Sequence, residues 1–183
     1  MRDGMDPQPE FSRPIRLDTL SVAERGHDIE ASPEECAALA ERFGILAVDR
    51  LAAQVRLKML PGGELVRLNA KFQARVRQAC VITLEPVPQD IDDGFDLTYG
   101  PEEEVEDTDI LVDMDAADPP EPIRGNAIDI GEAVAEHLAL ALDPFPRASG
   151  AAFQDMIEDD ADTPPEEGGK PHPFASLAAL RKK

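Results

Sequence analysis

The sequence is short of aromatic residues and cysteines and has no long apolar run. It contains no tryptophan, one tyrosine and seven phenylalanines among 183 residues. Its two cysteines, Cys36 and Cys80, exclude a disulfide scaffold and suit a reducing cytosol. No stretch approaches the ~20 apolar residues of a membrane-spanning helix, and residues 1–10 lack the basic start and apolar run of a secretory signal. We therefore expect a soluble, cytoplasmic protein with no membrane partner.

The motifs that mark nucleotide sites and hydrolase sites are also missing. The pairs Gly62-Gly63 and Gly168-Gly169 do not lie between a strand and a helix at the spacing of a phosphate loop. Cys80 and His137 are the residue types of a nucleophile pair, but no local signature supports that pairing. We expect that the protein is not an enzyme and takes neither a cofactor nor a small-molecule substrate.

Metal binding is not expected either. The two cysteines and three histidines, at positions 27, 36, 80, 137 and 172, do not have the fixed ligand spacing that a metal site requires. Cys80 is instead predicted to be a buried or partly buried thiol, because a free cysteine packs as a small hydrophobic side chain.

Basic residues are few. The formal net charge is −20, from 38 acidic and 18 basic residues, which repels nucleic acid and anionic membranes at long range and is compatible with a basic protein partner. Residues 101–122 hold ten acids and no Lys or Arg. This run is predicted to be a solvated loop. The alternative is a mimic of nucleic acid that shields a basic protein.

The most regular pattern in the sequence is a β-hairpin over residues 54–78. From Leu65 to Arg77, apolar and polar side chains alternate with the period of two that a half-buried strand requires. A shorter alternating stretch precedes it, and Leu60-Pro61-Gly62-Gly63-Glu64 between the two has the Pro-then-Gly signal of a turn. One face of the hairpin is therefore expected to be buried, and the other to meet water.

The polar face of this hairpin is basic, although the protein is acidic. Residues 48–78 carry seven Lys or Arg and two acids. The predicted docking residues are Arg56, Lys58, Arg67, Lys71, Arg75 and Arg77. One interpretation is a solvated face balanced by the acidic segments of the protein, and the other is a docking face for nucleic acid or an acidic partner. The face lacks aromatic residues, which argues against base stacking.

Two helices and further strands complete the predicted fold. Ser32-Pro33-Glu34-Glu35 predicts a helix over 32–43, with Ser32 as its N-cap. Asp129 and Glu132 predict a second helix over 129–142. Short strands are expected at 12–17 and 27–31, and an acidic strand at 95–99 is expected beside the hairpin. The predicted class is α+β, with an antiparallel sheet built on the central hairpin and one face covered by both helices.

The domain boundaries follow from changes in composition. Residues 1–10 are predicted to be a flexible tail, and residues 11–147 a single α+β domain that includes the acidic loop. Residues 148–183 are expected to be a mostly disordered acidic tail, in which residues 174–181 can form a short terminal helix.

The segment from Gln78 to Val87 resembles the core motif of the YceD-type family, the large ribosomal RNA subunit accumulation proteins. In many members this motif reads Cys-x-x-Cys-Leu-x-Pro-Val, between a basic alternating strand and an acidic one. The residues that carry the resemblance here are Cys80, Leu84, Glu85, Pro86 and Val87. Segments 128–132 and 136–140 resemble the second block of the family, and segments 9–14 and 143–147 resemble its alphaproteobacterial version.

The resemblance implies a cytoplasmic, non-catalytic factor that affects synthesis, processing or stability of large-subunit ribosomal RNA. Its implied partner is a ribosomal protein or an rRNA precursor. Thr83 stands where many members have a second cysteine, and Pro146-Arg147-Ala148-Ser149-Gly150 replaces a Cys-rich segment, so a metal or redox role is not expected. The alternatives are an acidic interaction module unrelated to ribosomes and, less favoured, an enzyme that depends on Cys80.

Overall fold

The computed structural model describes residues 9–101, 119–123 and 125–152. The chain divides into two units, Met1–Ala151 and Ala152–Lys183, and all elements below belong to the first. Most of the acidic run, the first eight residues and the predicted terminal helix over 174–181 lie outside the described residues.

The described residues form a five-stranded sheet, a two-stranded sheet and two α-helices, which confirms the α+β class. In chain order the elements are β1 (Pro14–Arg16), a 3-10 turn (Leu17–Thr19), β2 (Arg25–Glu30), α1 (Pro33–Phe43), β3 (Ala47–Met59), β4 (Val66–Ala79), β5 (Pro86–Gly100), β6 (Glu121–Pro122), β7 (Ala127–Asp129) and α2 (Ile130–Ala141). The larger sheet has the order β2-β3-β4-β5-β6, and β1 pairs with β7. The expectation of a purely antiparallel sheet is wrong at one edge, because β6 runs parallel to β5.

The predicted hairpin is confirmed and is longer than its alternation suggested. Strands β3 and β4 pair in antiparallel register from Ala47 and Arg77 to Met59 and Val66. A bulge between Val48 and Arg50 interrupts this register and leaves Asp49 as the extra residue. The acidic strand is also longer than predicted, because β5 pairs with the whole of β4.

Both helices begin where the sequence predicts. The side chain of Ser32 accepts a hydrogen bond from the amide of Glu35, and the carboxylate of Glu35 accepts one from the amide of Ser32, which is a complete capping box. Gly44 ends α1 in the left-handed conformation at φ 65°. Asp129 caps α2 through the amides of Gly131 and Glu132. No helix among the described residues is long and apolar enough to cross a bilayer.

The core lies between the helices and one face of the larger sheet. Every second residue of β4 from Val66 to Val76 is buried, and helix residues Leu39, Val134 and Leu138 are fully buried in the same cluster. Helix α1 packs on β3, and α2 contacts β4 and β5. The polar alternate residues of β3 and β4 are mostly exposed on the opposite, open face.

Residues 11–13, which we call the N-terminal segment, hold the start of α2 in position. The carboxylate of Asp129 accepts hydrogen bonds from the hydroxyl of Ser12 and the amide of Arg13, in addition to the two helix amides. Gly131 lies so close to this segment that a Cβ atom there would be 2.1 Å from the carbonyl oxygen of Phe11. The glycine is therefore required by a close backbone approach.

We predict that Gly131→Ala destabilises the fold. Alanine favours a helix by about 1 kcal/mol over glycine, but the clash is with backbone and outweighs that gain. The net loss should be about 2 kcal/mol, which lowers the melting temperature by about 4–8 °C in a calorimetric scan. Gly26→Ala is the matched control, since a Cβ there meets nothing within 4 Å. Equal melting temperatures for the two variants would contradict the prediction.

Candidate functional site

The open face of the larger sheet carries all seven basic residues that the sequence places in residues 48–78. They lie at alternate positions of β3 and β4, away from the helices, and all but half-buried Lys58 are exposed. The structure therefore brings the six predicted docking residues onto one surface and adds Arg50. It separates them into two groups that differ in their partners.

Three arginines form a paired cluster near the start of β3 and the end of β4. Arg75 makes two hydrogen bonds to the Asp90 carboxylate, at 2.7 and 3.0 Å, and this contact lowers the pKa of Asp90. Arg77 contacts Asp49 at 2.9 Å, which the bulge in β3 makes available. Arg50 bonds to Glu30 at 3.2 Å. These charges are balanced by acids of the same surface.

The other four cations, which we call the tip patch, lie toward the hairpin turn. They are Arg56, Lys58, Arg67 and Lys71. Within residues 9–101, 119–123 and 125–152, no carboxylate forms an ion pair with any of them. Lys58 stands directly opposite Arg67 in the register, and like charges in such a pair are destabilising by up to about 1 kcal/mol. Among the described residues, the tip patch is therefore a local excess of positive charge.

The acids nearest the tip patch on β5 do not form ion pairs with it. Arg67 lies beside Thr98 of β5, and Lys71 lies beside Gly94. At the diagonal positions of β5, the carboxylate of Asp96 accepts a hydrogen bond from Asn69 at 3.0 Å, and that of Asp92 accepts one from Gln73 at 2.8 Å. No described acid of β5 therefore offsets the charge of these four residues by contact.

A shallow depression of about 670 Å³ lies between the two groups of cations. Small Ala52 forms its floor, and its rim includes Arg50, Lys71, Glu30 and Asp92. Its mixed charge distinguishes it from the uniformly basic tip patch. A single-sign surface attracts polyanions more strongly, so we place the candidate site at the tip patch rather than in the depression.

A second groove, which no sequence pattern predicted, lies between α2 and the far end of β5. Its volume is about 440 Å³ and its lining includes Tyr99, Glu132, Glu136 and His137. Burial raises the pKa of Tyr99 to about 12 and also raises the pKa of Glu136. Tyr99 lies more than thirty positions before the three α2 residues in the chain, so only the packing of α2 on β5 brings it to them.

The loop that joins β4 to β5, residues 80–85, is built around Cys80. The Cys80 side chain is fully buried, and its Sγ accepts hydrogen bonds from the amides of Ala148, Ile82 and Thr83 at 3.3–3.4 Å. These bonds, with that of Ala148 as the largest effect, lower the pKa of the thiol to about 6. The thiol therefore stabilises the conformation of the loop and connects the loop, through the amide of Ala148, to the segment after α2.

Cys80 and His137 do not form a pair. The His137 ring stacks on Phe95 with 3.5 Å between ring centroids, and its Nδ1 lies 2.9 Å from the carbonyl oxygen of Ala133. Phe95 pairs with Ala70 of β4, so it is roughly 30 Å along the strand from Cys80. The His137 ring is half-buried against the sheet.

The other motif residues lie at the surface. Leu84 is 76% exposed, Glu85 and Pro86 are exposed, and Val87 is half-buried. Leu84 has φ 62° and is the only described non-glycine residue with positive φ, which costs a leucine about 1–2 kcal/mol. Among the described residues, no group of three or more His, Cys, Asp or Glu side chains is placed to hold a metal ion.

We predict that the Cys80 thiol titrates near pH 6 in the native protein. In a Cys36→Ser variant, where Cys80 is the sole thiol, the thiolate absorbance at 240 nm should rise with a midpoint near 6. In the Cys80→Ser variant the midpoint should lie above that of an ordinary thiol, because burial raises the pKa of Cys36. A Cys80 midpoint near the ordinary 8.5 would show that the three amide bonds do not stabilise the thiolate.

The same shift predicts a pH dependence of stability. The native pKa lies below that of the unfolded thiol, about 8.5, so the unfolded state holds more protons between pH 6 and pH 8.5. The stabilisation is complete above pH 8.5 and is lost as the pH falls through 6. Melting temperatures of the wild type minus those of Cys80→Ser, measured from pH 5 to pH 9, should rise with pH across this window. A flat difference would contradict the assignment.

Comparison with protein families places the C-terminal part of the chain in a known family model. The family model described as "Large ribosomal RNA subunit accumulation protein YceD" matches residues 68–181, which is more than half of the chain. The match begins in β4 and includes the Cys80 loop, β5 and α2. Comparisons with curated proteins and with solved structures find no significant match.

Proposed function

We propose that this chain, which belongs to the YceD family of large ribosomal RNA subunit accumulation proteins, is a cytoplasmic, non-catalytic binding factor. It supports the synthesis, processing or stability of large-subunit ribosomal RNA. Its tip patch contacts the phosphate backbone of the rRNA precursor. A ribosomal protein is the second partner that its composition favours, because the net charge of −20 attracts basic proteins.

The observation that carries this proposal is the difference between the two groups of cations on one sheet face. The arginines of the paired cluster already have carboxylate partners. The four cations of the tip patch have none among the described residues, and although each group contains one directly opposed pair of cations, Lys58 with Arg67 here and Arg50 with Arg75 in the paired cluster, only the pair in the tip patch lacks carboxylate partners. A phosphate placed between Lys58 and Arg67 replaces their repulsion with two attractions. The tip patch is thus the part of the face that gains most from an anionic partner.

The chemistry of the face favours contact with the RNA backbone over contact with the bases. The guanidinium of Arg binds phosphate through two parallel hydrogen bonds, and Lys binds it as a point charge. The open side of β3 and β4 carries no aromatic residue in the described structure, so it offers no platform for stacked bases. Such contacts give affinity and orientation but little sequence readout.

Other features support a binding role over catalysis. The Cys80 thiol is fully buried and bonded to three backbone amides, an arrangement that serves the loop rather than a substrate. We propose accordingly that Cys80 is structural, in contrast to the alternative of a Cys80-dependent enzyme. A Cys80→Ser strain that accumulates normal levels of large-subunit rRNA would agree with this role, and loss of rRNA with a normally folded variant would oppose it.

The RNA-binding proposal is tested by two variants that remove the same charge from the same face. Arg67→Gln with Lys71→Gln removes two cations of the tip patch, and Arg75→Gln with Arg77→Gln removes two of the paired cluster. We expect the first to weaken binding of a transcribed large-subunit rRNA precursor in a filter assay. The slope of log K against log salt should fall by about 2, one for each lost phosphate contact.

The second double variant serves as the control for total charge. Because Arg75 and Arg77 are engaged with Asp90 and Asp49, their loss should change the slope much less. Equal effects of the two variants would show that only net charge matters, and no effect of either would refute RNA contact at this face. In cells, only the tip-patch variant should lower the amount of large-subunit rRNA.

A further inference from the structure

The end of the sheet opposite the hairpin turn exposes a group of large apolar side chains. They are Leu46, Val81, Leu84, Leu140 and Phe145. In the part of the chain that the structure describes, six large apolar side chains are exposed, and Val22 is the only one that lies elsewhere. Leu84 and Phe145 are 76% and 67% exposed. An apolar concentration of this kind on a protein surface marks an interaction site.

Backbone hydrogen bonds hold the centre of this apolar end, which consists of Val81, Leu84 and Phe145. The amide of Val81 donates to the carbonyl oxygen of Pro146 at 2.9 Å, and the amide of Ala148 donates to Cys80 Sγ at 3.3 Å. Gln78 reaches the carbonyl oxygen of Asp143 at 2.9 Å. The 80–85 loop and the segment after α2 are therefore one rigid unit, so little ordering remains to be done on binding.

The backbone conformation of Leu84 indicates that the turn alone does not account for an exposed leucine at this position. A tight turn of this kind, closed by the bond from the Leu84 amide to the Cys80 carbonyl oxygen at 2.9 Å, is best served by Gly or Asn at a position with φ 62°. Leucine is disfavoured there on backbone grounds and is not buried in the core. Among the described residues, nothing covers its side chain, which is 76% exposed, whereas a partner that covers it provides the apolar burial.

We propose that the apolar end docks a basic protein that inserts at least one large apolar side chain between Leu84 and Phe145. Charge complementarity selects this occupant. With a net charge of −20, the chain attracts a basic protein at long range and repels a second copy of itself, and among the described residues this end, unlike the tip patch, offers RNA no group of cations without carboxylate partners. In the described segments 80–85 and 143–148, the charged residues are Glu85, Asp143 and Arg147, all exposed, and the charge of neighbouring Arg77 is offset by Asp49.

The apolar end and the tip patch lie at opposite ends of the β3–β4 hairpin, so both can be occupied at once. The length of β4 from Arg67 to Arg77 separates them by about 30 Å. If an RNA binds at one end and a basic RNA-binding protein binds at the other, this chain holds that protein close to its site on the RNA. Only this pairing, and the choice of ribosomal proteins as a probe, rests on the proposed function.

Two variants test the docking site without damage to the fold. Leu84→Asn removes the apolar side chain and places there a residue that accepts φ near 60°, so its melting temperature should equal or exceed that of the wild type. Phe145→Ser removes the second anchor. Val22→Asn is the matched control, since Val22 is 72% exposed but lies before β2. The probe is the RNA-free protein fraction that high salt extracts from purified large ribosomal subunits.

We expect Leu84→Asn and Phe145→Ser each to bind this fraction at least tenfold more weakly than the wild type, and Val22→Asn to bind it equally well. A photo-crosslinking amino acid at position 84, used in cells, should attach to one identified basic protein, whereas the same group at position 22 should not. Crosslinks from position 84 to RNA or to a second copy would overturn the inference, as would yields no higher than at position 22.

The two proposals can fail separately. A crosslink to a basic protein that is not ribosomal would keep the docking site and remove the ribosomal assignment. Loss of rRNA binding in the tip-patch variant, together with unchanged protein binding in Leu84→Asn, would keep the proposed function and remove the docking site.

Discussion

The alternation of β4 is the constraint on which the rest of this structure depends. This strand is paired along its whole length with β5 and along most of it with β3, so its side chains have only two directions available. Its apolar set faces α1 and α2, and its charged set faces away from them. A shift of one residue would exchange the two sets and bury four cations. The core and the candidate RNA surface are therefore fixed by the same register.

The second constraint is at the ends of the helices, where polar groups decide how the layers fit together. Asp129 joins the first turn of α2 to the N-terminal segment, and Arg42 contacts the carboxylates of Glu10 and Glu132 at 2.7–2.9 Å. Arg13 binds Glu35 at 2.7 Å and so connects that segment to the start of α1. These contacts orient both helices on one face of the sheet and leave the other face open for a partner.

The two proposed surfaces lie at opposite ends of the hairpin and bind their partners through different interactions. The tip patch offers cations that have no carboxylate partner among the described residues, which gives salt-sensitive affinity for phosphate and little selectivity. The apolar end offers exposed side chains on a rigid loop, which gives affinity that depends on shape and on removal of water. A factor that acts on a ribonucleoprotein needs to engage RNA and protein together. The separation of the two surfaces allows this without competition between them.

The sequence alone determined the elements with strong local signals. The β3–β4 hairpin followed from period-two alternation, and both helix starts followed from Ser32 and Asp129, because these effects act over a few neighbouring residues. The tertiary structure decided which cations are neutralised. In the sequence, Arg75 and Arg77 have the same pattern as Arg67 and Lys71. Only the bulge in β3 places Asp49 beside Arg77, and only the pairing with β5 places Asp90 beside Arg75. The tertiary structure also decided that His137 stacks on Phe95, that β6 joins the sheet in parallel, and that Leu84 is exposed. Each of these depends on contacts between distant segments, which periodicity along one strand cannot specify.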